Sequence, residues 1–476
     1  MSGSTSPGNQ IAMPEPAKVE RAIRFTYAQM MLNAVFGAST GGMFLIGFAL
    51  KLGADNIILG LLSTIPAFFV VFQLAAAFLV ERGISRKKLV VIFAFVSPFC
   101  WVLIAALPFF APVLDITGRF AILIGVICLV SLAAQFAANA RGSWVGELIP
   151  SERRGRFFGY CTMFAGIVGA GFAIAEGKFL DFIVEHGLFA FTALFLFGVI
   201  FGLASAALNI PQPDCPLPGG EARSTFLGHI RSAVRNRPFV RLAWIHAVLA
   251  LSAIASPFFA AYQLRDLKMS YFALGLLNAV STASLLLTSP LWGKLVDRFG
   301  SRPILILGLV MMAPCHTVWL LIPPGPGALH MAYMLLPWTN FVLGASSGAL
   351  GIAVSTMMYK TSRPEGRSVQ FAGYSIFVSL VGAPMPLLGG WLVSHLASAG
   401  VAVDLRITFY LCSCVIFATA LLARTLKEPE SVGTRTLVFT YFPEHIVRLW
   451  GSVTSIAPVF ISLMRLQLPI GRKRSD

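Results

Sequence analysis

One stretch of this chain occurs twice. Residues 58–88 read ILGLLSTIPAFFVVFQLAAAFLVERGISRKK, and residues 273–303 read ALGLLNAVSTASLLLTSPLWGKLVDRFGSRP. The LGLL segment recurs at an offset of 215, and the acid–arginine pair that follows recurs at an offset of 216. Each copy is an apolar run that ends in an acid and a cluster of cations. The pattern predicts two equivalent halves in a membrane, an arrangement that places a binding site on the axis between them.

The composition excludes a soluble fold. The chain is 57% hydrophobic and 12% charged, whereas a soluble domain carries about 25% charged residues. Its seven cysteines show neither metal-ligand spacing nor a disulfide framework, so we expect no metal and no other cofactor. The first apolar segment is long and lacks a small-residue cleavage site, so it does not resemble a removable signal peptide.

Twelve windows are long and apolar enough to cross a bilayer, which takes about 20 residues. Backbone groups in lipid must be paired within the protein and strand-type alternation is absent, so we predict twelve helices. The windows are residues 25–50, 56–80, 89–111, 119–149, 156–178, 187–209, 238–262, 271–293, 303–323, 329–358, 368–396 and 404–424.

The distribution of cations predicts the orientation. Of the 36 Lys and Arg, 29 lie on the side that holds both termini, six lie on the opposite side, and Arg141 lies inside the fourth window. The positive-inside rule therefore predicts a multi-pass protein of the cell (inner) membrane with both termini in the cytoplasm. The same topology accounts for the net charge of +16 without a nucleic-acid partner.

The windows divide the chain into five segments. We predict a cytoplasmic N-terminal segment (1–24), a six-helix bundle (25–209), a cytoplasmic linker with an amphipathic helix (210–237), a second six-helix bundle (238–425) and a basic cytoplasmic tail (426–476). The tail holds a 16-residue apolar stretch that includes Pro458. Its length favours an interfacial helix over a thirteenth crossing.

Motifs at the cytoplasmic ends resemble those of the major facilitator superfamily. The run from Gly293 to Arg302 is similar to its loop signature, G-x-L-x-D-R-x-G-R-R, and the first-half copy departs from it at Ala77 and Glu81. The segment from Glu147 to Arg154 resembles its E-x6-R element. The residues that carry the resemblance are Gly293, Asp297, Arg298, Gly300 and Arg302, with Glu81, Arg82, Arg86, Glu147, Arg154 and Gly155.

The resemblance covers about residues 25–430 and identifies no subfamily. It implies an all-α integral membrane fold of twelve helices in two pseudo-symmetric six-helix bundles. It also implies that these motif residues latch a cytoplasmic gate during conformational change. The alternative is that the cations only anchor loops to anionic headgroups.

In that family the first, fourth, seventh and tenth spans surround a central cavity. Polar residues at helical spacing on those spans are candidates for its lining, although small and amide side chains also hold membrane helices together. Arg141 has three alternatives: a structural role, a gating role or contact with an anionic substrate. The predicted cavity residues are Asn33, Gln135, Asn139, Arg141, His246, Asn340 and Ser347.

These features favour a secondary transporter of a small organic solute that works by alternating access, as a monomer in the lipid bilayer. No carboxylate lies in the middle of a window, which weakens proton coupling and leaves open both facilitated diffusion and coupling to H+ or Na+ through other groups. A non-transporting sensor on the same fold is the main alternative. A membrane enzyme is less favoured because neither HExxH nor GxSxG occurs, and we therefore expect no catalytic residues.

Overall fold

The structure, a computed structural model, describes residues 16–149, 154–214, 235–362, 367–398, 404–426 and residue 428. Within these ranges all regular structure is helical, and twelve helical segments have the length and composition to cross a membrane. This confirms the predicted fold class. We number them spans 1 to 12: Glu20–Lys51, Asn56–Val80, Arg86–Phe110, Ile116–Gly142, Arg156–Ile183, Leu188–Ala207, Arg237–Asp266, Tyr271–Phe299, Ser301–Leu321, Pro326–Thr361, Gln370–Leu396 and Arg406–Ala423.

The spans form two six-helix bundles that contact each other through two pairs of spans. In the first bundle span 3 packs on spans 4 and 6, and span 1 packs on spans 5 and 6. In the second bundle span 10 packs on spans 8 and 9, and span 9 packs on span 12. Between the bundles, span 5 packs on span 8 and span 2 packs on span 11. We call the end at which span 1 begins the basic end, and the end at which it finishes the far end.

Several spans depart from a continuous α-helix. Span 1 is built of Pro16–Thr40 and Gly42–Lys51, and the helix restarts at Gly42 with a positive φ of 51°. Span 7 passes through a 3₁₀ segment at Leu251–Ala255, and a π-helical turn occupies Tyr262–Asp266. Pro257, the residue at which the sequence suggests a bend, lies between them. Bends in long helices usually trace to such residues and turns.

Other spans are interrupted or extend beyond the crossing segment. Span 2 comprises Asn56–Phe68, a 3₁₀ turn at Phe69–Phe72 and Gln73–Glu81. Span 11 comprises Arg367–Gly382 and Met385–Ser398, separated at Ala383–Pro384. The remaining helices are Arg86–Phe110, Ile116–Leu148, Arg154–Ile183, Leu188–Ala207, Tyr271–Phe299, Ser301–Thr317 with Val318–Leu321, Pro326–Ala328 with Leu329–Thr361, and Arg406–Ala423.

The outer surface of the bundle is apolar, as a lipid-facing surface must be. Large hydrophobic side chains such as Phe182, Ile200 and Leu287 are exposed by more than half. Single exposed apolar residues are ordinary in soluble proteins, but a surface covered with them is not. The predicted amphipathic linker helix and the predicted interfacial helix of the tail lie outside the described residues.

Candidate functional site

A cavity of about 560 Å³ lies where the two bundles meet, in the far half of the molecule. It is bordered by spans 1, 2, 7, 8, 9 and 10, and the breaks in spans 1 and 7 both face it. The lining comprises Gly41, Gly42, Met43, Leu45, Ile46, Leu62, Ser63, Pro66, Ser256, Pro257, Phe259, Ala260, Gln263, Leu274, Leu277, Asn278, Ser281, Trp319, Asn340 and Leu343.

The lining is mostly apolar, and none of the lining residues that the structure describes is ionisable. Its polar members are three serines and three amides: Ser63, Ser256, Ser281, Gln263, Asn278 and Asn340. Trp319 is 3% exposed and contributes an aromatic wall, while its indole Nε1 is buried away from the cavity space. The cavity therefore offers hydroxyl and amide groups to a solute, on an apolar background.

Two seams of close backbone packing join the bundles at the far end. In the 5/8 seam, a Cβ at Gly177 would lie 2.5 Å from Tyr271 O, and one at Gly275 would lie 2.7 Å from Ala173 O. In the 2/11 seam, a Cβ at Gly60 would overlap Pro386 O, and one at Gly390 would overlap Asn56 O. Only glycine permits helices to approach this closely.

The two seams are copies of each other. Gly60 and Gly275 are related by the repeat offset of 215, as are Asn56 and Tyr271. An offset of 213 relates Gly177 to Gly390 and Ala173 to Pro386. Every close glycine contact of one seam therefore has its counterpart in the other. The duplication that is visible in the sequence extends to the contacts that close the far end.

Each seam also has its own polar contact. In the 5/8 seam, the Asp181 carboxylate accepts hydrogen bonds from the backbone N–H groups of Tyr271 and Phe272, both at 2.8 Å. These are the first residues of span 8, where a negative charge also meets the positive end of the helix dipole. In the 2/11 seam, Arg265 Nη1 donates to Asn56 Oδ1 at 2.9 Å.

At the basic end, three described hydrogen bonds each join segments of the same bundle. Ser85 Oγ donates to Asp214 at 2.7 Å, and Trp144 Nε1 donates to Pro213 O at 3.0 Å. In the second bundle, Asn236 Nδ2 donates to Thr361 O at 2.6 Å. Of the contacts described for the two bundles, the closest across the interface are at the far end, so this conformation is closed there.

Glu428 holds the basic end of span 9. Its carboxylate accepts from Ser301 N at 3.1 Å, from Arg302 N at 2.7 Å and from Lys360 Nζ at 2.9 Å. Burial by itself would raise the pKa of Glu428, but these hydrogen bonds and the Lys360 charge outweigh it and lower that pKa. The repeat pairs Asp214 with Glu430, which lies outside the described residues, and Glu428 makes the corresponding contact.

The predicted latch residues are at the basic end, and the structure describes part of them. Asp297 and Arg298 are exposed at the end of span 8, and Gly300 turns the chain with a φ of 92° before span 9. Arg302 Nη2 donates to Arg424 O at 2.7 Å. Gly293 lies in span 8, Arg82 stands over the Phe78 ring at 4.3 Å, and Arg86 is buried.

The other latch residues are described only by their backbones. Glu81 and Glu147 lie in the last turns of their helices, and Arg154 and Gly155 begin the helix of span 5. Their side-chain contacts are outside the described part of the chain. The latch therefore stays a prediction.

Among the predicted cavity residues, Asn340 borders the cavity. Its Nδ2 donates to Leu336 O at 2.8 Å within span 10. The other six are not among the described residues that line this cavity. Asn33 and Ser347 are exposed, Asn139 is half-buried, and Gln135 accepts from Gln73 Nε2 of span 2 at 2.8 Å.

The two ionisable candidates have partners within the bundles. His246 Nδ1 is 2.7 Å from the Tyr374 hydroxyl, which joins spans 7 and 11. Arg141 Nη1 donates to Gln29 Oε1 of span 1, and Gln29 Nε2 donates to Ser205 Oγ of span 6 at 2.8 Å. Arg141 thus joins spans 4, 1 and 6. This contact favours a structural role for Arg141 over contact with a solute.

Sequence reasoning missed Asp181, Glu428, Trp319 and Gly177. A signal existed for Gly177, because the offset of 213 pairs it with Gly390. No sequence signal marked Asp181 or Trp319, since both depend on how the two bundles are placed against each other.

Comparison with known proteins supports the resemblance found in the sequence motifs. Residues 247–466 match the sequence model of the Major Facilitator Superfamily. The multidrug resistance protein MdtG of Escherichia fergusonii is 29% identical over 170 residues, which are 34% of this chain and 37% of that protein. MdtG of Salmonella heidelberg is 25% identical over 304 residues, 62% of this chain and 69% of that protein.

The chain is therefore similar to transporters of the major facilitator superfamily. It spans between about a third and about two thirds of the length of these relatives. Solved transporter structures share its fold. The nucleoside transporter NupG aligns with a TM-score of 0.61 at 13% identity, covering 86% of this chain and 98% of that one. A bacterial homologue of the human lysosomal transporter Spinster, in an inward-facing and unoccupied conformation, aligns with a TM-score of 0.60 at 15% identity, covering 87% and 96%.

Proposed function

We propose that this protein is a secondary transporter that moves a small, uncharged, amphipathic organic solute by alternating access of two rocking bundles. One observation carries the proposal: a cavity at the junction of the bundles is closed at one end by two seams that the internal repeat relates to each other. Seams of equivalent design on both sides of an axis are what a rocking motion about that axis requires.

The contacts in the seams suit repeated opening and closing. Glycine faces meet backbone, so little side-chain interdigitation has to be undone when the helices separate. The motif at Asp297 and Arg298 is exposed at the basic end, and we propose that it takes part in closing that end in the opposite conformation. We propose the same role for Gly293, Gly300, Arg302, Glu81, Arg82, Arg86, Glu147, Arg154 and Gly155.

The chemistry of the cavity supports the proposed class of solute. A formal charge brought into a cavity without ionisable groups would lose hydration without gaining a partner. Aromatic and aliphatic side chains, Trp319 among them, provide the apolar surface, and the amides of Gln263, Asn278 and Asn340 provide directional hydrogen bonds. Two relatives are named multidrug resistance proteins, and they motivate drug compounds as the first to be screened.

The distribution of cations supports an orientation with the basic end in the cytoplasm. In that orientation the closed far end faces away from the cytoplasm. We propose a monomer in the cell membrane, with the linker and the tail on the cytoplasmic face.

The test is solute flux through the purified chain. A thermal-shift screen of neutral, anionic and cationic compounds identifies ligands, and flux of a labelled hit is then measured in proteoliposomes. We expect saturable flux of a neutral compound. Trp319→Phe removes part of the apolar wall of the cavity and should weaken its binding about five- to tenfold.

Trp244→Phe is the matched control, because Trp244 is 56% exposed on the lipid-facing surface. That variant should transport like the wild type. Binding without flux would favour the alternative of a sensor on the carrier fold. Binding of anions in preference to neutral compounds would contradict the proposed solute class.

A further inference from the structure

Glu176 is a carboxyl group buried inside the membrane-spanning region. It lies in span 5, seven residues before Ile183, or about 10 Å of helix from the far end. Its side chain is 4% exposed. Of its two oxygens, Oε1 contacts Ser39 Oγ of span 1 at 2.6 Å, while Oε2 is buried without a hydrogen-bond partner in the described structure.

No cation offsets a charge at this position. Among the spans that pack against span 5, span 6 has no titratable residue, and the titratable residues of span 1 lie at least 12 residues from Ser39. In span 8 the charged residues lie at the basic end, and Tyr271 is the titratable residue at the seam. On span 5, Lys178 is exposed and lies about 200° around the helix from Glu176. Asp181 contacts the start of span 8, and Glu185 and His186 are exposed beyond the end of the span.

Hydrogen-bond accounting favours the neutral acid. Ser39 Oγ lies 2.9 Å from Val35 O as well as 2.6 Å from Glu176, and a hydroxyl has a single hydrogen. If Ser39 donates to Val35 O, the carboxyl group must supply the hydrogen of the shorter contact. An ionised Glu176 would instead have one hydrogen bond for two charged oxygens in a membrane interior, which is costly.

Glu176 is also next to the 5/8 seam. Gly177 forms the closest contact of that seam with Tyr271, and Ala173 forms its other contact, with Gly275. The residues that flank Glu176 in the helix therefore separate from span 8 when the far end opens. Ser39 is itself held between Glu176 and Gly198 of span 6, because a Cβ at Gly198 would lie 2.6 Å from Ser39 Cβ.

We propose that Glu176 is a proton-binding site that must be occupied for the far end to close. Water that enters the opened 5/8 seam hydrates the carboxyl group and allows it to lose its proton. Closure removes the water and takes up one proton from the far-side solution. The proposal rests on the proposed alternating access, and it adds a proton to the conformational cycle. The single hydroxyl contact favours a proton over Na+, which needs several oxygen ligands.

The test measures far-end opening directly and needs no transported solute. Hydrogen–deuterium exchange of the segment 268–276 is followed for the full-length chain in lipid nanodiscs between about pH 5.5 and about pH 8.5, with variants compared at equal pH. At the high-pH end, wild type should exchange at least about tenfold faster there than Glu176→Gln, which mimics the neutral acid. At the low-pH end the two should coincide. Glu185→Gln, an exposed carboxylate at the same end, should behave as wild type.

A second variant keeps the test decisive if Glu176→Gln does not fold. Ser39→Ala removes the acceptor of the acid proton and should move the midpoint of opening about one pH unit lower, a roughly tenfold weaker proton affinity. An unchanged or higher midpoint, or a wild-type protein whose exchange does not respond to pH, would overturn the proposal. Absence of solute flux in proteoliposomes would refute the proposed function and leave these results unaffected.

Discussion

The 5/8 seam and the 2/11 seam share their backbone contacts and differ in their polar ones. Gly177 and Gly275 in the first match Gly390 and Gly60 in the second, at the repeat offsets. The 5/8 seam adds a carboxylate that caps a helix of the opposite bundle, whereas the 2/11 seam adds an Arg–Asn hydrogen bond. The comparison indicates that backbone fit closes the far end, and that polar groups set how firmly each side is held.

The largest effect on the closure of the far end is expected from a side chain added to either seam, and it tests whether the two seams are equivalent. Gly177→Val and Gly390→Val should each prevent far-end closure and reduce solute flux more than tenfold, because a branched side chain cannot fit against Tyr271 O or Asn56 O. Flux in proteoliposomes measures the effect. Gly171→Val in span 5 is the control, since a Cβ at Gly171 meets nothing within 4 Å. A large defect in only one seam variant would contradict their equivalence.

Removing the carboxylate of Asp181 should have the next largest effect. Asp181→Asn exchanges two charge-assisted hydrogen bonds at the start of span 8 for weaker neutral ones, and it removes the interaction with the helix dipole. We expect far-end opening, followed by hydrogen exchange at residues 268–276, to increase about five- to thirtyfold. Exchange equal to that of wild type would show that glycine packing alone holds this seam.

The corresponding change in the 2/11 seam should be smaller. Arg265→Gln removes a hydrogen bond to a neutral amide, made by a side chain that is 36% exposed and is also paired with Asp266 at 3.2 Å. Exposed contacts of this kind contribute little, so we expect exchange at residues 54–60 to rise by no more than about threefold. An effect larger than that of Asp181→Asn would reverse the ranking of the two seams.

The smallest expected effect is the loss of the Glu428 contact at low pH, and it extends the comparison to the basic end. Because the pKa of Glu428 is lowered in the folded protein, its cap stabilises the fold above the ordinary glutamate pKa and is lost as pH falls through the lowered value. Thermal unfolding of Glu428→Gln should therefore differ from wild type by a few degrees at neutral pH and converge with it in acid. If the difference in unfolding temperature did not change with pH, the charge of Glu428 would not account for the stabilisation.

The internal repeat in the sequence predicted the architecture well. Composition and window length led to twelve spans, and the offsets of 213 to 216 paired helices that the structure shows at equivalent positions. The resemblance to the major facilitator superfamily followed from the motif around Asp297, and the match of residues 247–466 to the superfamily model supports it. These features are local or periodic, so a single sequence displays them.

The lining of the cavity was harder to predict from periodicity. Helical spacing shows which residues share a face, but it does not show which neighbour that face meets. Gln135 therefore meets Gln73, whereas Asn340 borders the cavity. The breaks at Gly41 and Pro257 also change the direction in which later residues point. Contacts between bundles, such as that of Asp181, depend on tertiary placement that no local pattern encodes.

The central claim is that the far end and the basic end open in alternation. Spin labels at Val113 and Leu321 report on the far end, and labels at Ile84 and Tyr359 report on the basic end, in chains whose native cysteines are replaced by serine. Distances between the labels are measured by double electron–electron resonance spectroscopy. They are compared between the cysteine-replaced protein and the same protein with Gly177→Val. The account predicts a longer far-end distance together with a shorter basic-end distance. Distances that stay fixed, or that lengthen at both ends, would contradict it.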